Sequence, residues 1–137
     1  MNFIRWPWRC ERGSLMTEFA MVLPIIMLFG VGVIEIGRVM YTSSTIEEAA
    51  REAARFAVVR GATATKAATV GDIRDAVIEN APRLDAANMN VVVTYEPDNA
   101  PGSFVTVRVE YGYEFLIPAT TIAPIVLSGA SKMMIAR

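Results

Sequence analysis

Residues 19–34 form an apolar run unbroken by charge, and a single carboxylate, Glu18, stands at its amino-terminal lip. As a helix the run covers ~24 Å at ~1.5 Å per residue, short of the ~30 Å hydrocarbon core of a bilayer. It spans only by recruiting Leu15, Met16 and Ile36 at its ends. A carboxylate beside apolar surface at that depth costs on the order of 3 kcal/mol unless something pairs with it, so Glu18 calls for a partner. Pro24 removes a backbone donor inside the run and is expected to loosen the helix near Ala20. Gly30 and Gly37 lie seven residues apart on one face, where a neighbouring helix can approach closely or where they are ordinary membrane-helix glycines.

The leader before the run carries Arg5, Arg9 and Arg12 against the one acid Glu11. The positive-inside rule therefore keeps this end in the cytoplasm and exports the chain beyond residue 34. Trp6 and Trp8 suit the headgroup region. Three fates compete for such a segment. A secretory signal would be cut after the run at small residues, and only Gly30-Val31-Gly32 approaches that pattern. A signal anchor would stay uncut. Cleavage before the run, between Gly13 and Ser14, would remove the basic leader and leave Glu18 to answer the new amino terminus.

Composition narrows the function classes. The chain of 137 residues holds one modest exported domain besides the membrane segment, and is too short for two independent cores. With 13 basic and 14 acidic residues it lacks the clustered positive field of a nucleic-acid binder. It has no histidine, and its only cysteine, Cys10, precedes Gly13. The commonest general base and metal ligand is thus missing, and no internal disulfide can form. With no glycine-rich phosphate loop either, no catalytic or metal site is expected, and no cofactor.

Beyond the run, residues 38–60 keep a helical period. Ile46, Ala49, Ala50, Ala53, Phe56 and Ala57 recur at steps of three and four, while Glu47, Glu48, Arg51, Glu52 and Arg55 mark the other face. The alanine side implies close packing against a sheet, and Gly61 is a natural stop. Residues 72–80 read as a short helix with Ile73, Ala76 and Val77 inward, ended by Pro82. The period then changes to two. Residues 90–95 and 104–113 read as a hairpin around the turn-rich Pro97-Asp98-Asn99-Ala100-Pro101-Gly102, with Val105, Val107, Val109 and Tyr111 on one face. Residues 132–136 are expected as a third strand. The stretch 115–127 is too apolar for an ordinary loop, and Pro118 and Pro124 argue against a strand. It either folds over the sheet as core or offers Leu116, Ile117, Ile122 and Ile125 as a docking surface for a partner.

Several stretches carry a family resemblance. Gly13, four residues, then Glu18-Phe19 looks like the type IV prepilin processing motif. The continuation Thr17-Glu18-Phe19-Ala20-Met21-Val22-Leu23-Pro24, then Glu35-Ile36-Gly37-Arg38, then Ala50-Arg51-Glu52-Ala53-Ala54-Arg55-Phe56-Ala57 resembles the TadE-like family of pseudopilins, or minor pilins, of the tight adherence (Tad) pilus system. The resemblance is strong over residues 12–61 and extends beyond them only in layout. Ala53 stands where the family often has glycine, a small change because alanine is the better helix former. Thr17 replaces the apolar residue common before the acid.

The resemblance implies an α+β, pilin-like fold, with a long amino-terminal helix, transmembrane then amphipathic, packed on a small antiparallel sheet of about three strands. It implies a leader at 1–13, a membrane or filament-core helix at 14–37 and an exported head at 38–137. A prepilin peptidase would cut after Gly13, making Ser14 the mature terminus and a site for N-methylation. The partners would be other pilin or pseudopilin subunits and an inner-membrane assembly platform. An α-amine is cationic at neutral pH, its pKa near ~7.7, so the cut creates a charge. Paired with Glu18 of an adjacent subunit it would fix axial register, since a slip leaves charges unpaired among apolar helices. Paired with Glu18 of its own chain it would only satisfy the helix end. The other reading is an uncleaved single-pass anchor carrying a periplasmic binding or assembly-factor module.

Overall fold

The structure is a computed structural model whose described residues are 11–61, 67–116 and 125–135. They form helix α1 (Glu11–Val59), helix α2 (Val70–Asn80) and strands β1 (Met89–Glu96), β2 (Phe104–Tyr113) and β3 (Ile125–Met134). The chain divides into two compact units, Met1–Ile36 and Gly37–Arg137.

In the first unit the described chain is helical throughout, and the helix assignment passes through Pro24 without a break. Its side chains from Ser14 to Gly30 are all exposed. That is the expected state of a helix whose large apolar groups are not covered by the other described residues.

The second unit is an α+β head. Its three strands form one antiparallel meander in the order β1-β2-β3. Val91 pairs with Val109, and Val109 with Gly129. The alternation in β2 follows from having one covered face and one solvated face. Val105, Val107 and Val109 are fully buried, whereas Phe104 and Arg108 on the other face are exposed. The covering is supplied by residues 46–57 of α1, where Ile46, Ala49, Ala50, Ala53, Ala54 and Ala57 join the strand valines in one apolar cluster.

Small residues set the spacing of that contact. A Cβ placed on Gly129 would sit 3.0 Å from the Cα and backbone nitrogen of Glu47, and 3.1 Å from a methyl of Ile46. The strand at Gly129 therefore comes so close to the helix backbone at Glu47 that it has no room for a side chain of its own. Glu47, Glu48, Arg51, Glu52 and Arg55 point to solvent, with Arg51 bonded to Glu47 at 3.1 Å and Arg55 within 4.0 Å of Glu52. Such exposed pairs contribute only ~0.3 kcal/mol each, so they mark the outer face without holding it. Phe56 is half-buried under the Arg60 guanidinium, which lies 4.2 Å from the ring centre.

Helix α2 buries Ile73, Ala76 and Val77. It begins at Val70, two residues earlier than the period alone indicates, because Thr69 and Asp72 form a reciprocal cap. The Thr69 hydroxyl accepts from the Asp72 N–H at 3.2 Å, and the Thr69 N–H donates to the Asp72 carboxylate at 2.9 Å.

The third strand differs from expectation. It runs over Ile125–Met134 rather than 132–136, so it starts inside the apolar stretch where prolines spoke against a strand. Both prolines precede its first residue in sequence, and a proline before a strand removes no ladder bond. Register with β2 sets the extent: Ile125 lies opposite Tyr113, and Met134 opposite Phe104. The ladder continues past Met134, since the Ile135 N–H donates to the Ser103 carbonyl at 2.8 Å and Ile135 itself is buried.

The β1–β2 turn is held by Asp98. Its carboxylate accepts the Ser103 hydroxyl at 2.6 Å and the Ala100 N–H at 3.1 Å, which holds this acid below its ordinary 3.8. Gly102 has φ 91°, a conformation that side chains with a Cβ rarely adopt. Burial raises the phenol pKa of Tyr95 in β1.

Candidate functional site

Glu18 and Phe19 sit on α1 one turn beyond Ser14, and all three are exposed. The Thr17 hydroxyl donates to the Ser14 carbonyl at 3.1 Å, closing the turn that separates Ser14 from Glu18. Positions four apart on a helix share a face, so a charge at the Ser14 nitrogen and the Glu18 carboxylate lie along one side. The Gly13–Ser14 peptide lies in the first turn of α1. There the backbone N–H groups lack helical partners, and glycine lowers the local preference for helix by ~1 kcal/mol. Local unwinding of the helix is least costly at such a place.

From Ser14 to Ile36 the helix presents a nearly continuous apolar surface, interrupted by Glu18 and Glu35. Met21, Ile25, Leu28 and Phe29 are each more than two-thirds exposed. Ser14–Val59 contains a window long and apolar enough to cross a membrane, none of it buried among the described residues. Cβ atoms added at Gly30, Gly32 and Gly37 would meet nothing within 4 Å. These glycines therefore open a helix surface that no part of the described chain fills.

The stretch 115–127 is divided. Ile117 and Ile122 lie outside the described residues. Leu116 is 59% exposed and Ile125 36%, while Leu127 packs against the core cluster. Phe115 meets Tyr113 edge-on, with ring centres 5.6 Å apart. The described ends thus belong partly to the sheet and partly to the surface.

Two features carry no local signal in the sequence. Gly129 is one, because nothing nearby distinguishes it from a weak strand residue. The other is a cavity of about 380 Å³ in the head. Its walls come from Arg38 and Tyr41 on α1, Arg83 and Asp85 in the α2–β1 connection, and Tyr113 and Glu114 at the end of β2. These residues are scattered over the chain, so no motif or period connects them before folding.

No curated protein and no solved structure matches the chain. A protein-family model does match, that of the TadE-like protein family, over residues 13–55. The match covers the Gly13–Ser14 junction, Glu18, the whole apolar run and most of the alanine-faced half of α1. Over those residues the chain is similar to the TadE-like family.

Proposed function

We propose that this chain is a minor pilin, or pseudopilin, of a tight adherence pilus, made as a precursor and cut by a prepilin peptidase between Gly13 and Ser14. Before the cut, residues 14–37 hold it in the inner membrane, with the leader cytoplasmic and the head outside. After the cut, the same helix moves into a bundle of like helices formed with other pilin subunits at an assembly platform. The Ser14 ammonium then meets Glu18 of a neighbouring subunit, and Pro24, Gly30 and Gly37 shape the helix contacts. The assembled fibre serves surface attachment, and the chain carries out no catalysis.

The observation that carries this reading is the apolar helix surface that the described residues leave exposed. The head completes its own core with alanines 49–57 and the strand valines, yet residues 14–30 of the same helix bury nothing. A surface with that much apolar area needs lipid or other helices around it. The fit between a membrane-length run and one acid at its lip supports exchange between those two environments. A long, charge-free span would favour only the first.

Amino-terminal mass spectrometry of the protein from cells with and without the peptidase tests it. The expected result is a mature chain beginning at Ser14, N-methylated, and an uncut precursor when the peptidase is missing. Mature protein that retains Met1 or begins beyond residue 36 with the peptidase present would falsify the proposal. Retention of Met1 would instead favour an uncleaved membrane-anchored module.

A further inference from the structure

The head cavity has a charge pattern that a simple anion or cation site lacks. Arg38 and Arg83 supply two guanidiniums to its wall, and Asp85 and Glu114 supply two carboxylates. The formal sum is zero, so the cavity concentrates neither sign, but it offers donors and acceptors for both at once. Asp85 keeps one oxygen engaged, accepting the Ala87 N–H at 2.9 Å, so the carboxylate is held in place by the short helical turn Ala86–Asn88. The Arg38 guanidinium lies 5.5 Å from the centre of the Tyr113 ring, which steadies that cation against an aromatic face. Tyr41 and Tyr111 also line the cavity. About 380 Å³ is the lower range for a small-molecule site, enough for one headgroup-sized ligand.

Chain connectivity fixes the depth of one wall. Arg38 is two residues past Ile36, at most ~7 Å of chain however the two units are disposed. The polar zone of a bilayer leaflet is itself about 5–7 Å thick. When residues 14–36 span a membrane, Arg38 stands at headgroup level, where tyrosines are also favoured.

We infer that this cavity binds the zwitterionic headgroup of a phospholipid bearing a primary ammonium, of the phosphoethanolamine class. The guanidiniums take the phosphodiester through paired N–H donors, and Glu114 with Asp85 takes the ammonium. A primary ammonium has three N–H donors for those carboxylates, whereas a trimethylammonium has none and a glycerol headgroup has no cation. The headgroup contact would steady the head against the leaflet until extraction. It depends on the membrane reading of residues 14–36 for its depth, but not on cleavage.

Native mass spectrometry of the full chain from maltoside micelles tests this, with short-chain phosphatidylethanolamine, phosphatidylcholine and phosphatidylglycerol at equal concentration, and inorganic phosphate as competitor. Phosphatidylethanolamine adducts are expected to exceed each of the others by about tenfold, the ratio that one charge-assisted hydrogen bond of ~1.5 kcal/mol supplies. Glu114→Gln should remove about that excess, whereas Arg83→Gln should lower the adducts of all three lipids by about the same factor. Both residues are exposed, so circular dichroism should stay unchanged. Equal or stronger binding of phosphatidylglycerol, displacement by phosphate at the lipid's own concentration, or adducts indifferent to Glu114→Gln would each overturn it. Micelles contain neither bilayer nor peptidase, so failure here is separate from failure of the pilin reading.

Discussion

Residues 14–36 and residues 37–59 belong to one helix, α1, yet they solve opposite problems. The first half carries leucine, isoleucine, methionine and phenylalanine and leaves them in the open: Phe29 is 73% exposed. The second half carries alanine and buries it completely: Ala49, Ala50, Ala53 and Ala54 have no exposed surface. Large side chains give up most area when other molecules surround them, at ~25 cal/mol per Å². Small ones give up little, but let a backbone come close. The head thus gains its core through proximity to the strand valines. The amino-terminal half leaves its hydrophobic surface exposed, which on the proposed function is the surface that meets lipid or other subunits.

The sharpest way to break this contrast is to hollow the head. Ile46 is among the largest fully buried side chains. Ile46→Ala is expected to cost the head about 2–5 kcal/mol, read from hydrogen exchange of the β2 amides in the full chain in micelles. A loss below ~1 kcal/mol would mean that the α1–sheet contact contributes less than its burial indicates.

Next in size is a pair of identical substitutions in the two regions. Gly129→Ala puts a methyl against the Glu47 backbone and should destabilise the head by about 1–3 kcal/mol. Gly30→Ala meets nothing within 4 Å, and in the isolated chain it should be neutral or favour helix by up to ~1 kcal/mol. If Gly30→Ala leaves the isolated chain intact but lowers the yield of assembled fibre, a neighbouring helix approaches at Gly30. If Gly129→Ala leaves exchange rates unchanged, the close approach between helix and strand is not a constraint.

The smallest effect concerns the β1–β2 turn, away from both halves of the helix. Asp98 is held below its ordinary 3.8 by the Ser103 hydroxyl and the Ala100 N–H. A depressed carboxylate stabilises the fold above the unfolded value, and that contribution is lost as pH falls through the folded value. Asp98→Ala should therefore lower the Tm slightly at neutral pH, with the gap from wild type closing as the pH drops below 3.8. A gap that persists undiminished in acid would assign the effect to packing of the turn instead.

Several elements were legible before folding because their signals are local. The period of two gave β2 its limits at Phe104 and Tyr113, and the period of 3.6 picked out Ile73, Ala76 and Val77. The charged face of α1, including both ion pairs, follows from spacing alone. The third strand was harder to read because its neighbours in sequence misled. Pro118 and Pro124 discouraged a strand near Ile125, while pairing with Tyr113 across the sheet extends one to that residue. The capping pair Thr69 and Asp72 was readable in principle from its three-residue spacing.

The sequence by itself determined the apolar run, its lone acid at the lip, the basic stretch before it and the alanine face beyond it, because composition and period along one helix require no partner to be read. Only the tertiary structure decided that Gly129 lies against the Glu47 backbone, that β3 begins at Ile125, and that Arg38, Arg83, Asp85 and Glu114 share a cavity. Each of these depends on residues far apart in the chain. Their proximity is set by sheet register and by the thickness of the helix–sheet interface, neither of which is written in any local stretch.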